Sequence, residues 1–186
     1  MEMKYKRAMK FVVLLLTSLL IGAASVAAYT EMFMHGNNIT IGTAGVQFVA
    51  GSNTTTLGGI DAINTQGTEV IFDTIPNIAP GELKTYSEAV NISNGAGSVK
   101  TISVSFYSLT GDWSLNFDYI SLTVIAANGT ALGNTINITS SGTNVTSTGN
   151  IRMNNGEEWA LKWVIKAKTG ATNGQSITIV YKIKVE

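Results

Sequence analysis

The stretch EWALKWVIKAK at residues 158–168 decides the fold, because an apolar side chain occupies every second position from Trp159 to Ala167. On an extended chain one face is then entirely apolar, consisting of Trp159, Leu161, Trp163, Ile165 and Ala167. A period of two residues indicates a β-strand that buries one face and wets the other. A second stretch of this kind, SITIVYKIKVE, follows at residues 176–186. The sequence therefore predicts a pair of long antiparallel strands.

Upstream of this pair the same alternation recurs. It is clear at residues 99–106 and 119–125, and the shorter strand candidates are residues 39–49, 68–74, 85–92 and 135–139. Asn-Gly pairs, which favour tight hairpin turns, separate strand candidates at Asn94-Gly95, Asn128-Gly129, Asn155-Gly156 and Asn173-Gly174. The polar residues 51–67 and 140–150 are predicted loops. The pattern predicts an all-β fold, a jelly-roll-like antiparallel β-sandwich that occupies residues 41–186 as one domain.

Residues 1–27 have the pattern of a signal peptide. Four basic residues precede an apolar run at residues 11–21, and small residues follow that run. We expect cleavage after Ala27, with a cut after Ala28 as the alternative, and export to the outside of the cell. Contact with the membrane would then be transient. An uncleaved membrane anchor and a pilin-type leader, cut before the apolar run, remain alternatives.

Composition and charge argue against several functional classes. The leader holds four of the 12 Lys and Arg residues and one of the 12 Asp and Glu residues, so the mature chain has a net charge of about −3. That charge disfavours nucleic-acid binding, which depends on neutralising phosphates. The chain has no cysteine, and His35 is its only histidine, so neither a zinc site nor a Ser/His/acid triad is expected. We expect no enzymatic activity and no cofactor.

Two acidic pairs are the remaining candidates for metal ligands. Glu157 lies next to Glu158, and Asp112 is close in sequence to Asp118. Oxygen ligands of this kind suit calcium. Acidic pairs more often face water, so we assign no metal.

Six Asn-x-Ser/Thr sequons are candidates for N-glycosylation in an exported protein. They begin at Asn38, Asn53, Asn91, Asn128, Asn137 and Asn144. Asn128 and Asn144 fall in a predicted turn and a predicted loop, which makes them the preferred candidates.

The segment AYTEMFMHG, residues 28–36, would form the new N-terminus after cleavage. A free N-terminus is usually polar and frayed, but this one is apolar and needs a groove. The segment either adds an edge strand to its own sandwich or adds a strand to the sheet of a neighbouring copy. The second arrangement is head-to-tail and does not close on itself, so its repetition makes a filament.

Short motifs in a fixed order resemble a known family. The mature chain would begin Ala28-Tyr29, and GTAG follows at residues 42–45. NIAPGE at residues 77–82 precedes a strand candidate that ends in NISNG at 91–95, and GQSI at 174–177 runs into the last strand. In this order the motifs resemble the TasA/camelysin family of biofilm matrix fibre proteins, and most of all the archaeal bundling pilins.

The resemblance implies a jelly-roll subunit of an extracellular pilus that assembles by donor-strand complementation. Its N-terminal strand would enter a groove of the adjacent identical subunit, and neighbouring filaments would bundle into a biofilm matrix. By position, residues 28–40 would be the donor strand. Its anchors would be Tyr29, Met32, Phe33, Met34 and Ile39. The peptidase activity ascribed to some camelysins is not expected here, since the chain has no His-Glu-x-x-His motif.

The alternative is a monomeric secreted module that binds carbohydrate or acts as an adhesin. Sugar binding would need an exposed aromatic platform. Trp159 and Trp163 share the apolar face of one predicted strand and are expected in the core, which leaves Trp113 as the candidate.

Overall fold

The computed structural model describes residues 30–34, 45–58, 62–72, 75–141 and 144–186, with residues 30–34 described by their backbone. Nine strands and two one-turn helices lie in these ranges. The strands are β1 Thr30–Met34, β2 Val46–Val49, β3 Leu83–Asn94, β4 Lys100–Gly111, β5 Phe117–Ala126, β6 Ala131–Thr139, β7 Ile151–Met153, β8 Glu158–Ala167 and β9 Ile177–Val185. The helices are α1 Thr54–Leu57 and α2 Trp113–Asn116. No helix of the described residues is long and apolar enough to cross a membrane.

The strands form two antiparallel sheets that pack as a sandwich. The first sheet has the order β1-β9-β4-β7, and the second has the order β2-β3-β8-β5-β6. The arrangement of β1 and β3 to β9 in the two sheets is that of a jelly roll. Strand β2 is additional to this pattern and extends the second sheet at its edge. The predicted all-β sandwich is therefore confirmed, and β1 is the first strand of the jelly roll.

The core lies between the two sheets and is centred on β8, which pairs with both β3 and β5. The five alternating apolar residues of β8 are each 3% exposed or less: Trp159, Leu161, Trp163, Ile165 and Ala167. From the first sheet, buried residues of β4 and β9 complete the core, among them Ile102, Val104, Tyr181 and Ile183. Burial of each large side chain contributes about 1.5–3 kcal/mol, so the alternation that predicts the strands also stabilises the fold.

Of the four predicted Asn-Gly hairpin turns, only Asn128-Gly129 joins two strands that pair with each other, β5 and β6. The other three connect strands of different sheets, and β8 and β9 are likewise in different sheets. Gly129, Gly156 and Gly174 adopt positive φ angles of 83°, 79° and 81°. Asn94, by contrast, is fully buried, and its Nδ2 donates to the carbonyl oxygens of Met153 at 3.1 Å and Ser98 at 3.0 Å. This side chain therefore ties the β3–β4 connection to the end of β7 at one end of the sandwich.

The prediction of a strand at residues 68–74 is wrong for the described part of that segment. There the chain forms isolated bridges, of Val70 with Ile63 and at Ile71, and no strand of a sheet. The side chain of Asn64 accepts hydrogen bonds from the backbone N–H groups of Thr68 and Glu69, which holds the chain in a local turn. Val70 is nevertheless fully buried, so the apolar residues of this segment fill the core without joining a sheet.

Other boundaries also differ from the sequence-based expectations. The described strand in the 39–49 candidate is Val46–Val49, and residues 39–44 lie outside the described residues. The predicted loop at residues 51–67 contains α1, and β7 lies just beyond the predicted loop at 140–150. Three residues are too few to show a period, which is why β7 has no visible signal in the sequence. Val180, expected on the wet face of β9, is 3% exposed.

Candidate assembly site

The N-terminal strand β1 pairs along the outer edge of β9. Five consecutive residues are in register, running from Thr30 opposite Val185 to Met34 opposite Tyr181. On its other side β9 pairs with β4, so β1 is the edge strand of the first sheet. Main-chain hydrogen bonding to an exposed sheet edge is the means by which one chain can extend the sheet of another.

The register divides β1 into two faces. Residues directly opposite each other in an antiparallel pair share a face of the sheet. Met32 is opposite Ile183 and Met34 is opposite Tyr181, and both of those β9 residues are 0% exposed in the core. The register therefore places Met32 and Met34 on the core face.

Thr30, opposite the buried Val185, shares the core face, and the other two positions of β1 fall on the outer face of the sheet. Glu31 is opposite Lys184, and Phe33 is opposite Lys182. Lys184 also forms an ion pair with Glu186, in which both side chains are about two-fifths exposed. An exposed pair of this kind contributes roughly 0–1 kcal/mol. The outer face therefore places opposite charges near each other but adds little stability.

An aromatic cluster lies in the core next to the end of β1. The ring of Trp163 lies 6.2 Å from that of Phe72 and 6.3 Å from that of Tyr86, measured between centroids. Burial raises the pKa of the Tyr181 hydroxyl above its ordinary value, and the indole N–H of Trp163 nearby opposes the rise. Neither of these two polar groups reaches hydrogen-bond geometry with a partner in the described residues. Tyr181 therefore stays neutral and acts as a packing residue opposite Met34.

The expected anchors of the N-terminal segment are only partly in the described residues. Met32, Phe33 and Met34 lie in β1, whereas Tyr29 and Ile39 lie outside, as do the cleavage positions Ala27 and Ala28 and the leader before them. By its position in the sequence, Phe33 is expected to be an anchor equivalent to the two methionines. The register separates them, and the period of two in Met32-Phe33-Met34 is the signal that could have revealed this.

The described sequons differ in how their asparagine is held. Asn128 and Asn144 are exposed, and the Oδ1 atom of each accepts a backbone N–H, from Thr130 at 3.0 Å and from Thr139 at 2.8 Å. Asn53 is half-buried, and its Oδ1 accepts from the backbone N–H of Glu88 at 3.1 Å. Asn38 lies outside the described residues.

The two sequons within strands have opposite environments. The Nδ2 atom of Asn91 donates to a carboxylate oxygen of Glu158 at 2.8 Å, while its Oδ1 is buried without a partner. Asn137 lies in β6 and lines an open groove together with Tyr119. Asn91 is therefore a poor acceptor for a sugar, and Asn137 has room beside it.

The acidic pairs proposed as calcium ligands are not assembled into a metal site. Glu157 accepts hydrogen bonds from the side chain and the backbone of Asn154, which lower the pKa of its carboxyl group. Asp112 and Asp118 show no shared arrangement with a third acidic group. Across the described ranges no cluster of three or more His, Asp or Glu residues could hold a metal ion.

The tryptophans offer little for sugar stacking. Trp159 and Trp163 are each 3% exposed in the core, as the sequence predicts. Trp113, the expected platform, is half-buried at the start of α2 and packs against the core. An aromatic binding platform built from tryptophan is therefore not favoured.

The fold and the β1–β9 edge define the class of this protein as an all-β jelly roll whose N-terminal strand lies at a sheet edge. No model of a protein family matches the chain, and no curated protein matches it.

Proposed function

We propose that this protein is the structural subunit of an extracellular filament, assembled by donation of β1 to the β9 edge of the next subunit. The observation that carries the proposal is the place of β1 in the jelly roll. It is the N-terminal strand, it is an edge strand, and its register pairs Met32 and Met34 with core residues of β9. A sandwich without β1 has an open β9 edge, and a second copy carries the strand that fills it.

The same contacts are available within one chain and between chains. Five residues of β1 pair with five residues of β9, and each backbone hydrogen bond contributes about 0.5–1.5 kcal/mol net. Exchange of β1 between copies preserves these contacts, so the equilibrium depends on the connecting chain and on subunit concentration. Exchange of a strand is for this reason a low-cost route to assembly.

The connection to β1 is long enough for exchange. Ten residues, 35–44, lie between the end of β1 and Gly45, the next residue that the structure describes. Fully extended, ten residues span at most about 33–36 Å, slightly more than the length of a nine-residue strand such as β9. The covalent link therefore does not confine β1 to its own sheet.

The kinetic consequence is a barrier to assembly. A closed monomer must first release β1 from β9, which exposes core residues such as Ile183 before any contact is regained. We infer that assembly starts from newly exported chains whose β1 has not yet docked, or from existing filament ends. The leader at residues 1–27 would prevent premature assembly, because its removal frees the N-terminal strand.

The test is electron microscopy of the exported, purified protein together with sequencing of its N-terminus. We expect filaments, with the chain starting at Ala28 or Tyr29. A protein that remains a monodisperse monomer at every concentration would contradict the proposal and favour the monomeric binding module. A start near Phe11 would instead indicate a pilin with a retained apolar helix.

A further inference from the structure

A groove lies on the outer face of the second sheet, away from the β1–β9 edge. It is open, has a volume of about 450 Å³, and is lined by Tyr119, Ser121, Thr135, Asn137 and Val145. One aromatic ring and one aliphatic side chain thus stand beside hydroxyl and amide groups. This mixture of apolar surface with a few polar groups is typical of sites for small polar molecules.

Strand pairing determines the shape of the groove. Ser121 of β5 is directly opposite Asn137 of β6, and Tyr119 is opposite Thr139, so Tyr119 is the diagonal neighbour of Asn137. Val145 forms the rim, because its backbone N–H and C=O pair with those of Asn137 at 3.1 Å and 2.9 Å. A group attached to the Asn137 side chain would emerge between Tyr119 and Val145.

Asn137 begins the sequon Asn137-Ile138-Thr139. Its side chain is half-exposed and makes no hydrogen bond within the described part of the chain. Asn91 also begins a sequon within a strand, but its Nδ2 donates a hydrogen bond to Glu158. Of these two, only Asn137 offers a free amide beside a groove.

We infer that Asn137 carries an N-linked glycan whose first sugars lie in this groove against Tyr119. An aromatic ring offers a large rigid surface for the apolar face of a sugar ring, and Ser121 and Thr135 offer hydroxyl groups for its polar edge. The exposed turn sequons at Asn128 and Asn144 are not among the residues that line this groove. The inference rests on the proposed export of the protein, since glycosylation of this type occurs outside the cytoplasm.

The sugar would be transferred to Asn137 from a donor in which it is bonded to a phosphate group. The Nδ2 atom of Asn137 forms a bond with the anomeric carbon of the sugar, and the bond from that carbon to the phosphate oxygen breaks. The phosphate leaves with the electron pair, and the amide loses one proton to a base of the transferase. The donor is a lipid-linked saccharide phosphate, and the step precedes the closing of β6 into the sheet.

The first test is mass spectrometry of the protein isolated from its own cell surface. The peptide containing Asn137 should carry a saccharide mass, and that mass should disappear in Thr139→Ala, which removes the sequon but keeps Asn137. An unmodified Asn137 in protein that does form filaments would overturn this inference and leave the proposed function intact. A protein retained in the cytoplasm would overturn the proposed export itself.

The second test distinguishes a seated glycan from one that merely projects into solvent. Thermal unfolding should show a higher Tm for surface-isolated protein than for the same chain made without glycosylation. The Tyr119→Ala variant should keep the glycan but lose most of that difference in Tm. If the difference in Tm is unchanged in Tyr119→Ala, the glycan does not lie on Tyr119, and the inference fails.

Discussion

Deleting residues 28–36 is expected to abolish filament formation and to leave a folded, monomeric sandwich. The deletion removes β1 but none of the strands β2 to β9, which contain most of the described core. The β9 edge of the truncated subunit is then open, and the subunit has no strand to give. Electron microscopy and size-exclusion chromatography would measure the loss of filaments, and circular dichroism would verify that the sandwich remains folded.

The truncated subunit should also terminate the growth of wild-type filaments. It can accept β1 from a wild-type neighbour, but it offers no β1 to the next subunit. In a head-to-tail chain one such copy per ten wild-type subunits should limit filaments to roughly ten subunits. Filaments formed by the truncated protein alone would show that β1 is not the donor.

Charge substitutions in β1 should alternate in their effect. Met32→Asp and Met34→Asp place a carboxylate opposite Ile183 and Tyr181, on the core face of the sheet. Each loses a buried apolar side chain and buries a charge without a partner, at a combined cost of at least about 3 kcal/mol. Relative to chains whose β1 is undocked, the form from which assembly starts, the subunit concentration required for assembly should rise by about 100-fold or more in each variant.

Phe33→Asp is the matched control for these two variants. Phe33 is opposite Lys182 on the outer face, so a carboxylate there stays in water beside a cation. We expect its critical concentration to lie within about fivefold of that of the wild type, since exposed charge pairs contribute less than about 1 kcal/mol. Sedimentation of filaments over a concentration series would measure all three variants. Equal losses in all three would mean that the register of β1 in the filament differs from that in the subunit.

Much of the sandwich can be predicted because local pattern and tertiary burial agree. In β8 the apolar residue at every second position is buried, from Trp159 to Ala167. The β5–β6 hairpin is equally predictable, since Gly129 adopts the positive φ that the Asn-Gly pattern predicts. At these positions the residues that the local sequence pattern favours are also the residues that the packed sandwich requires.

Prediction fails where contacts distant in the sequence determine the structure. Val70 is as apolar as a strand residue, but a turn held by the Asn64 side chain keeps its segment out of both sheets. Asn94 reads as an ordinary hairpin residue, yet it is buried because the β7–β8 connection packs over it. No local pattern identifies β9 as the partner of β1, since strand order depends on the whole topology.

The candidate site can likewise be predicted only in part from the sequence. An apolar segment after the leader indicates a strand in need of a groove, and the alternation of Met32 and Met34 with Phe33 could have assigned its faces. The identity of the opposing residues, Ile183 and Tyr181, required the register. The groove at Asn137 could not be foreseen, because it joins β5, β6 and the backbone of Val145.

A disulfide between β1 and β9 is the most direct measure of where the donor strand lies in a filament. The chain has no cysteine, so the double variant Glu31→Cys/Lys184→Cys carries a single possible pair. These positions are directly opposite in the register and lie on the outer face. Opposed antiparallel residues have Cα atoms about 4.5–5.5 Å apart, within the range that a disulfide spans.

Filaments of this double variant would be oxidised, denatured and separated on a non-reducing gel, with each single variant as the control for accidental cross-links. The account predicts a ladder of covalent multimers, because Cys at position 31 of one subunit meets Cys at position 184 of the next. Filaments that separate into cross-linked single chains would contradict it, because each β1 would then lie in its own sandwich.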